Sequence, residues 1–100
     1  NIVRSKFEVN NCIFQNNLSD AIDLDFSNGK ITNSKFYNSG NDAVDASGSI
    51  IDVINTEIYK SGDKGVSAGE QSQVMLKGIN ITDCHIGIAS KDKSVVNGIS

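Results

Sequence analysis

The sequence predicts an all-β solenoid, a parallel β-helix of four to five rungs with about 22 residues in each, and three observations predict it. A small residue recurs at Ala21, Ala43, Gly65 and Gly87, a step of 22 taken three times, inside the related blocks Asp20-Ala21-Ile22-Asp23, Asp42-Ala43-Val44-Asp45, Lys64-Gly65-Val66-Ser67 and Ile86-Gly87-Ile88-Ala89. The apolar content is mostly Ile and Val, which favour strands, whereas proline and tryptophan are absent and leucine occurs only at Leu18, Leu24 and Leu76. Asn, Ser, Asp and Gly are abundant, and these are turn formers, through local side-chain hydrogen bonds or tolerance of positive φ. A repeat this short cannot bury its own apolar face. It has to stack on copies of itself, each strand pairing with the same strand one turn later.

Three short strands per rung account for the apolar positions. The first carries Phe7 and Val9, then Gly29 and Ile31, then Ile51 and Val53, with Val74 and Leu76 one position later. The second carries Phe14, Phe36 and Ile58, with Ile81 after a slip of one residue. The third carries Ile22 and Leu24, Val44 and Ala46, Val66 and Ala68, then Ile88 and Ser90, with Ile2 left from an earlier rung. Alternation points these residues inward, and rungs about 4.8 Å apart stack them into columns. Asn11, Asn33 and Asn55 form a column at the corner between the first two strands, where their amides are expected to link rung to rung. The turn Asn38–Asp45 joins the second strand to the third. Leucine-rich repeats share the period and a corner Asn, but their leucine framework is missing.

The repeat Ile31-Thr32-Asn33-Ser34-Lys35-Phe36-Tyr37-Asn38, followed by Asn41-Asp42-Ala43-Val44-Asp45, resembles that of right-handed parallel β-helix proteins of the pectate-lyase-like superfamily, over nearly the whole chain. The blocks Asp20–Ser27, Gly62–Glu70 and Gly87–Asp92 also resemble β-helix segments of bacterial surface proteins, some of them spore-coat-associated. The resemblance implies a right-handed coil and an extracellular or cell-surface location in a bacterium. It implies activity weakly, because the superfamily includes lyases, hydrolases, epimerases and non-catalytic adhesins.

Residues 1–100 read as a single β-helix segment, a piece of a longer solenoid whose ends dock on flanking rungs or on one another. The net charge of −3 argues against nucleic acid, and no apolar run is long enough for membrane insertion as a helix. Cys12 and Cys84 fall at different phases of the repeat, about three turns apart, and are expected as two buried, unbridged thiols.

Two constellations could carry function. Stacking sets Asp20 over Asp42 over Lys64, and Asp23 over Asp45 over Ser67, so Asp20, Asp23, Asp42 and Asp45 crowd together as candidate calcium ligands. Like charges at that spacing repel by about 1 kcal/mol per pair in a water-like dielectric. Lys64 paired with Asp42, or a cation, is the expected relief; a solvated acidic turn is the plainer alternative. Tyr37 and Tyr59, 22 apart and directed outward, form a candidate glycan platform, expected as a stacked column, or else a ladder that covers strand backbone.

No catalytic residue is assigned. Asp23 and Asp45 stand at outward positions with nothing apolar nearby to raise a pKa, Arg4 is the single arginine, and the lone His85 lies in a different rung from the tyrosines. Gly62 and Gly65 read as a tight corner that uses positive φ. The chain is therefore expected to be a structural or carbohydrate-binding module with a polysaccharide as partner. The alternatives are part of a polysaccharide lyase, hydrolase or epimerase with its active residues mostly elsewhere, and a purely structural spacer.

Overall fold

The computed structural model describes residues 1–90 and the backbone of the strand at 95–99. Lys91 and Asp92, which close the last of the resembling blocks, lie outside the described residues. Three parallel sheets wind into a solenoid of about four turns. Sheet I holds β1 (Ile2–Val3), β4 (Ile22–Asp25), β7 (Val44–Ser47), β10 (Lys64–Gly69) and β13 (Ile86–Ser90). Sheet II holds β2 (Lys6–Asn10), β5 (Asn28–Thr32), β8 (Ile50–Ile54), β11 (Gln73–Lys77) and β14 (Val95–Ile99). Sheet III holds β3 (Ile13–Asn17), β6 (Lys35–Ser39), β9 (Glu57–Ser61) and β12 (Asn80–Thr82). No helix among the described residues is long and apolar enough to cross a membrane.

The register follows the predicted step. Ile22 pairs with Val44 and Val44 with Val66, Phe14 with Phe36 and Phe36 with Ile58, and Ile31 with Val53. The slip of one residue also stands where the apolar pattern puts it: Ile51 pairs with Val74, and Ile58 with Ile81. Its source is the corner between β10 and β11, where Glu70 and Gln71 both take left-handed backbone, φ 50° and 64°. The third corner of the same turn is one residue shorter, so Lys64 still pairs with Ile86, 22 residues on.

Inward columns make the core. Leu24, Ile31, Phe36, Val44, Val53, Ile58 and Val66 are fully buried, and the Phe14 and Phe36 rings stack with centroids 4.7 Å apart and 4° between planes.

The corners depart from expectation. Asn11, Asn33 and Asn55 are exposed, and their amides do not form a rung-to-rung ladder: Asn33 Nδ2 donates instead to Asn10 Oδ1 at 3.3 Å. What the column supplies is backbone shape. All three have φ near +50°, the next rung has Gly78 at +65°, and Asn tolerates this region better than most residues. The left-handed residue turns the chain while its N–H still reaches the next rung, as from Asn33 N to Ile54 O at 3.0 Å. The other corners do the same with Arg4, Phe26 and Gly48, and with Asn16, Asn38, Lys60 and Asp83. Gly62 and Gly65 are not among the positive-φ residues; they are small because the neighbouring rung is close, and a Cβ on Gly62 would collide with the Gly40 carbonyl.

Behind the left-handed residues run ladders that the sequence reading did not identify. At the corner from sheet I to sheet II, Ser27, Ser49 and Ser72 each accept the N–H of the serine one rung earlier (Ser5, Ser27 and Ser49) at 3.2, 3.0 and 3.0 Å. Each hydroxyl also donates to a carbonyl of its own corner, Ser49 to Ser47 at 2.9 Å. Cys12 occupies such a position at the next corner: its N–H donates to Ser34 Oγ and its thiol to Asn10 O at 3.5 Å. Both cysteines are half-buried rather than buried, and both are unbridged. At the third corner the pattern lapses, for the Ser39 and Ser61 hydroxyls are buried without a hydrogen-bond partner.

The contrast yields a test. Ser49→Ala removes an acceptor and a donor at a site with no solvent access and should cost about 1–3 kcal/mol. Ser39→Ala removes a hydroxyl that bonds nothing and is expected to leave urea-unfolding stability unchanged or improved. Equal losses in the two variants would show that the ladder is not what holds the corner.

Candidate functional site

Two outward surfaces contain the residues singled out from the sequence. On sheet I, β4 and β7 carry Asp23 and Asp45 as direct neighbours, and the preceding turns carry Asp20 and Asp42. The turn aspartates are structural in the same way as the serines: Asp20 Oδ1 accepts the N–H of Asp42 at 2.9 Å, and Asp42 Oδ1 accepts the N–H of Lys64 at 3.0 Å. The Lys64 ammonium acts by its charge to lower the Asp42 pKa, as expected, against the larger effect of burial, but its direct ion pair is elsewhere. It pairs with Asp63 at 2.7 Å.

Asp20, Asp23 and Asp45 come together, each offering a carboxylate oxygen within 4.8 Å of the others, and Asp42 stands outside this group. All three are half-buried rather than exposed, which overturns the expectation that nothing raises a pKa here. Burial, then a hydrogen bond to Asp20 and the charges of Asp20, Asp42 and Asp23, push the Asp45 carboxyl up to about 7. Burial, Asp25 and Asp20 also raise Asp23. A proton on Asp45 is the form that lowers the repulsion. These three side chains could hold a cation in place of that proton; with one oxygen from each, calcium, which takes six to eight, would need further oxygens from a second carboxylate contact, backbone or water.

On sheet III, Tyr37 and Tyr59 are neighbours in β6 and β9 and point outward, Tyr59 being 42% exposed. They do not stack. Their centroids are 6.4 Å apart at 68°, edge to face, and the Tyr37 hydroxyl donates to Glu57 Oε2 at 3.1 Å. The pair presents two rings at an angle rather than one flat stacked face.

Beside the tyrosines, at the corner from sheet II to sheet III, lies a groove of about 450 Å³ that sequence reasoning missed. Two rows of residues line it, Asn33, Asn55 and Gly78 from the corner, and Lys35, Glu57 and Asn80 from the strand starts. The rows were visible as spacings of 22 and 23, but a hollow between them depends on where the side chains lean. His85 is exposed near β13 and joins neither surface.

Stacked parallel strands with side chains in register, and no helix in the described residues, define a β-solenoid repeat protein. The family model described as the right-handed beta helix region matches residues 3–98, and the chain belongs to that family. No curated protein and no solved structure matches the chain.

The aspartate cluster makes stability depend on pH with a definite sign. Between the ordinary aspartate value of 3.8 and about 7, folded Asp45 keeps a proton that the unfolded chain has lost, so folding takes up a proton across that window. Stability is therefore greatest at the acid end and declines as pH rises through 7. The melting temperature should be several degrees higher at pH 5 than at pH 8, and Asp45→Asn should flatten the difference; a wild-type melting temperature that rises from pH 5 to pH 8 would contradict a raised Asp45.

Proposed function

We propose that the chain is a structural module that binds carbohydrate on the outer face of sheet III, in an extracellular or cell-surface protein of a bacterium. The observation that carries this reading is the Tyr37 and Tyr59 pair, half-buried and exposed respectively on adjacent strands and braced by the bond from Tyr37 to Glu57. Sugars bring apolar C–H faces and hydroxyl rims, and a ring wall beside charged and amide groups meets both. The resemblance of the repeat to pectate-lyase-like β-helices supports a polysaccharide as ligand and the outside of the cell as location. Family membership by itself supports the scaffold alone.

Affinity electrophoresis against a panel of plant and bacterial polysaccharides tests the proposal. Retardation by at least one polysaccharide is expected, and it should weaken about fivefold or more when Tyr37→Ala and Tyr59→Ala are combined. Retardation that survives the double variant unchanged would rule out this face. Release of unsaturated uronates or new reducing ends by the unmutated chain would replace the binding module with an enzyme.

Calcium is proposed as a second ligand, at Asp20, Asp23 and Asp45, where it competes with the proton on Asp45. Millimolar calcium should raise the melting temperature at pH 8, much less at pH 5, and not at all when Asp23→Asn is combined with Asp45→Asn. No rise at pH 8 would rule out calcium at this cluster.

A further inference from the structure

The groove beside the tyrosines has a built shape. Asn33 leans back to the preceding rung, its amide on Asn10, whereas Asn55 leans forward, its Oδ1 lying where a side chain on Gly78 would begin. The two amides part, and the hollow opens between them. On the other side of the hollow, Lys35 and Glu57 are neighbours in strand register, yet they form no ion pair within 4.0 Å. Asn80 continues their row on β12. Asn33, Asn55, Asn80, Lys35 and Glu57 are all exposed; the Asn33 amide nitrogen is engaged by Asn10 and Glu57 Oε2 by Tyr37, which leaves Asn33 Oδ1, Glu57 Oε1, Lys35 and the amides of Asn55 and Asn80 to meet a ligand.

We propose that this groove binds a neutral, β-linked glycan chain laid along the solenoid axis, with one rung for each sugar unit. The inference rests on the carbohydrate-binding reading above and adds the place, the direction and the class of the ligand. Direction follows from the rows: both run along the axis and present a polar side chain on nearly every rung. Rungs about 4.8 Å apart come close to the length of one hexose in an extended β-linked chain. Class follows from charge and chemistry. One lysine and one glutamate sum to zero, and the amides of Asn55 and Asn80 with the Asn33 carbonyl oxygen provide both donors and acceptors, which suits vicinal hydroxyls. A polyuronate would bring a carboxylate to every rung and meet Glu57 with only Lys35 in compensation. The bond from Tyr37 to Glu57 joins the groove to the ring pair, so a chain in the groove also passes the tyrosines.

The experiment is calorimetric titration of the whole chain with hexasaccharides of β-1,4-linked glucose, of β-1,4-linked mannose, and of galacturonate. A neutral hexasaccharide is expected to bind more tightly than the galacturonate one. Asn55→Gly suits the left-handed backbone, as Gly78 already does one rung on, and removes only the amide. It should weaken neutral binding about fivefold, as should Lys35→Ala, with circular dichroism and melting temperature confirming that both variants fold. Tighter binding of galacturonate overturns the class. Binding that is lost in the double tyrosine variant but unaffected by Asn55→Gly and Lys35→Ala overturns the groove and leaves the sheet III reading standing. Binding of none of the three hexasaccharides overturns the neutral-glycan groove, and the polysaccharide panel then decides the broader reading separately.

Discussion

The constraint on which the structure depends is that every strand spends its backbone hydrogen bonds on the turns before and after it. A corner therefore has to redirect the chain within about two residues and remain in register with the corners above and below. One left-handed residue followed by one small polar residue meets both demands, and the pairing recurs with different side chains: Phe26 and Ser27, Asn33 and Ser34, Gly48 and Ser49, Asn55 and Thr56. The left-handed residue turns the path, and the hydroxyl behind it bonds a carbonyl two residues back. In the serine column and at Ser34 it also accepts an N–H from the preceding rung. Phe26 shows how strong the demand is. A bulky side chain at φ +52° is disfavoured, and here its ring lies over Gly48 with the Arg4 guanidinium 5.2 Å from its centroid.

Much of this was legible in the sequence, because stacking converts a sequence interval into a spatial neighbour. Phe14 over Phe36, Val44 over Val66 and the one-residue slip before Val74 followed from apolar spacing alone. What did not follow was the division of labour among polar residues. Asparagine at 33 reads equally as a side-chain ladder and as a left-handed backbone, and only the dihedral decides. Serines at 27, 49 and 72 read as generic turn formers, although their spacing of 22 and 23 was available as a signal. Cys12 hid in such a ladder because a thiol there does a hydroxyl's work.

The candidate sites separate along the same line. Spacing brought Asp23 beside Asp45 and Tyr37 beside Tyr59. It could not show that Asp42 is spent on the backbone of Lys64, that Lys64 turns to Asp63, or that the rings meet edge to face. Each of these depends on a side-chain direction. The raised pKa of Asp45 belongs to the same class, since it comes from burial and from Asp20 and Asp23 of the preceding rung, none of which shows when one rung is considered alone.

The extra residue at Glu70 and Gln71 shows how this architecture absorbs change in length. The corner from β10 to β11 gains one residue, the third corner of the same turn loses one, and sheet I continues without displacement. Because each corner is closed by local dihedrals and bonded only to the turns beside it, an altered corner disturbs its neighbours and not the whole coil. Such corners are natural grafting points. A loop inserted between Glu70 and Gln71 would project from the side of the column, and the scaffold could in this way acquire recognition segments one at a time while its interior columns stay as they are.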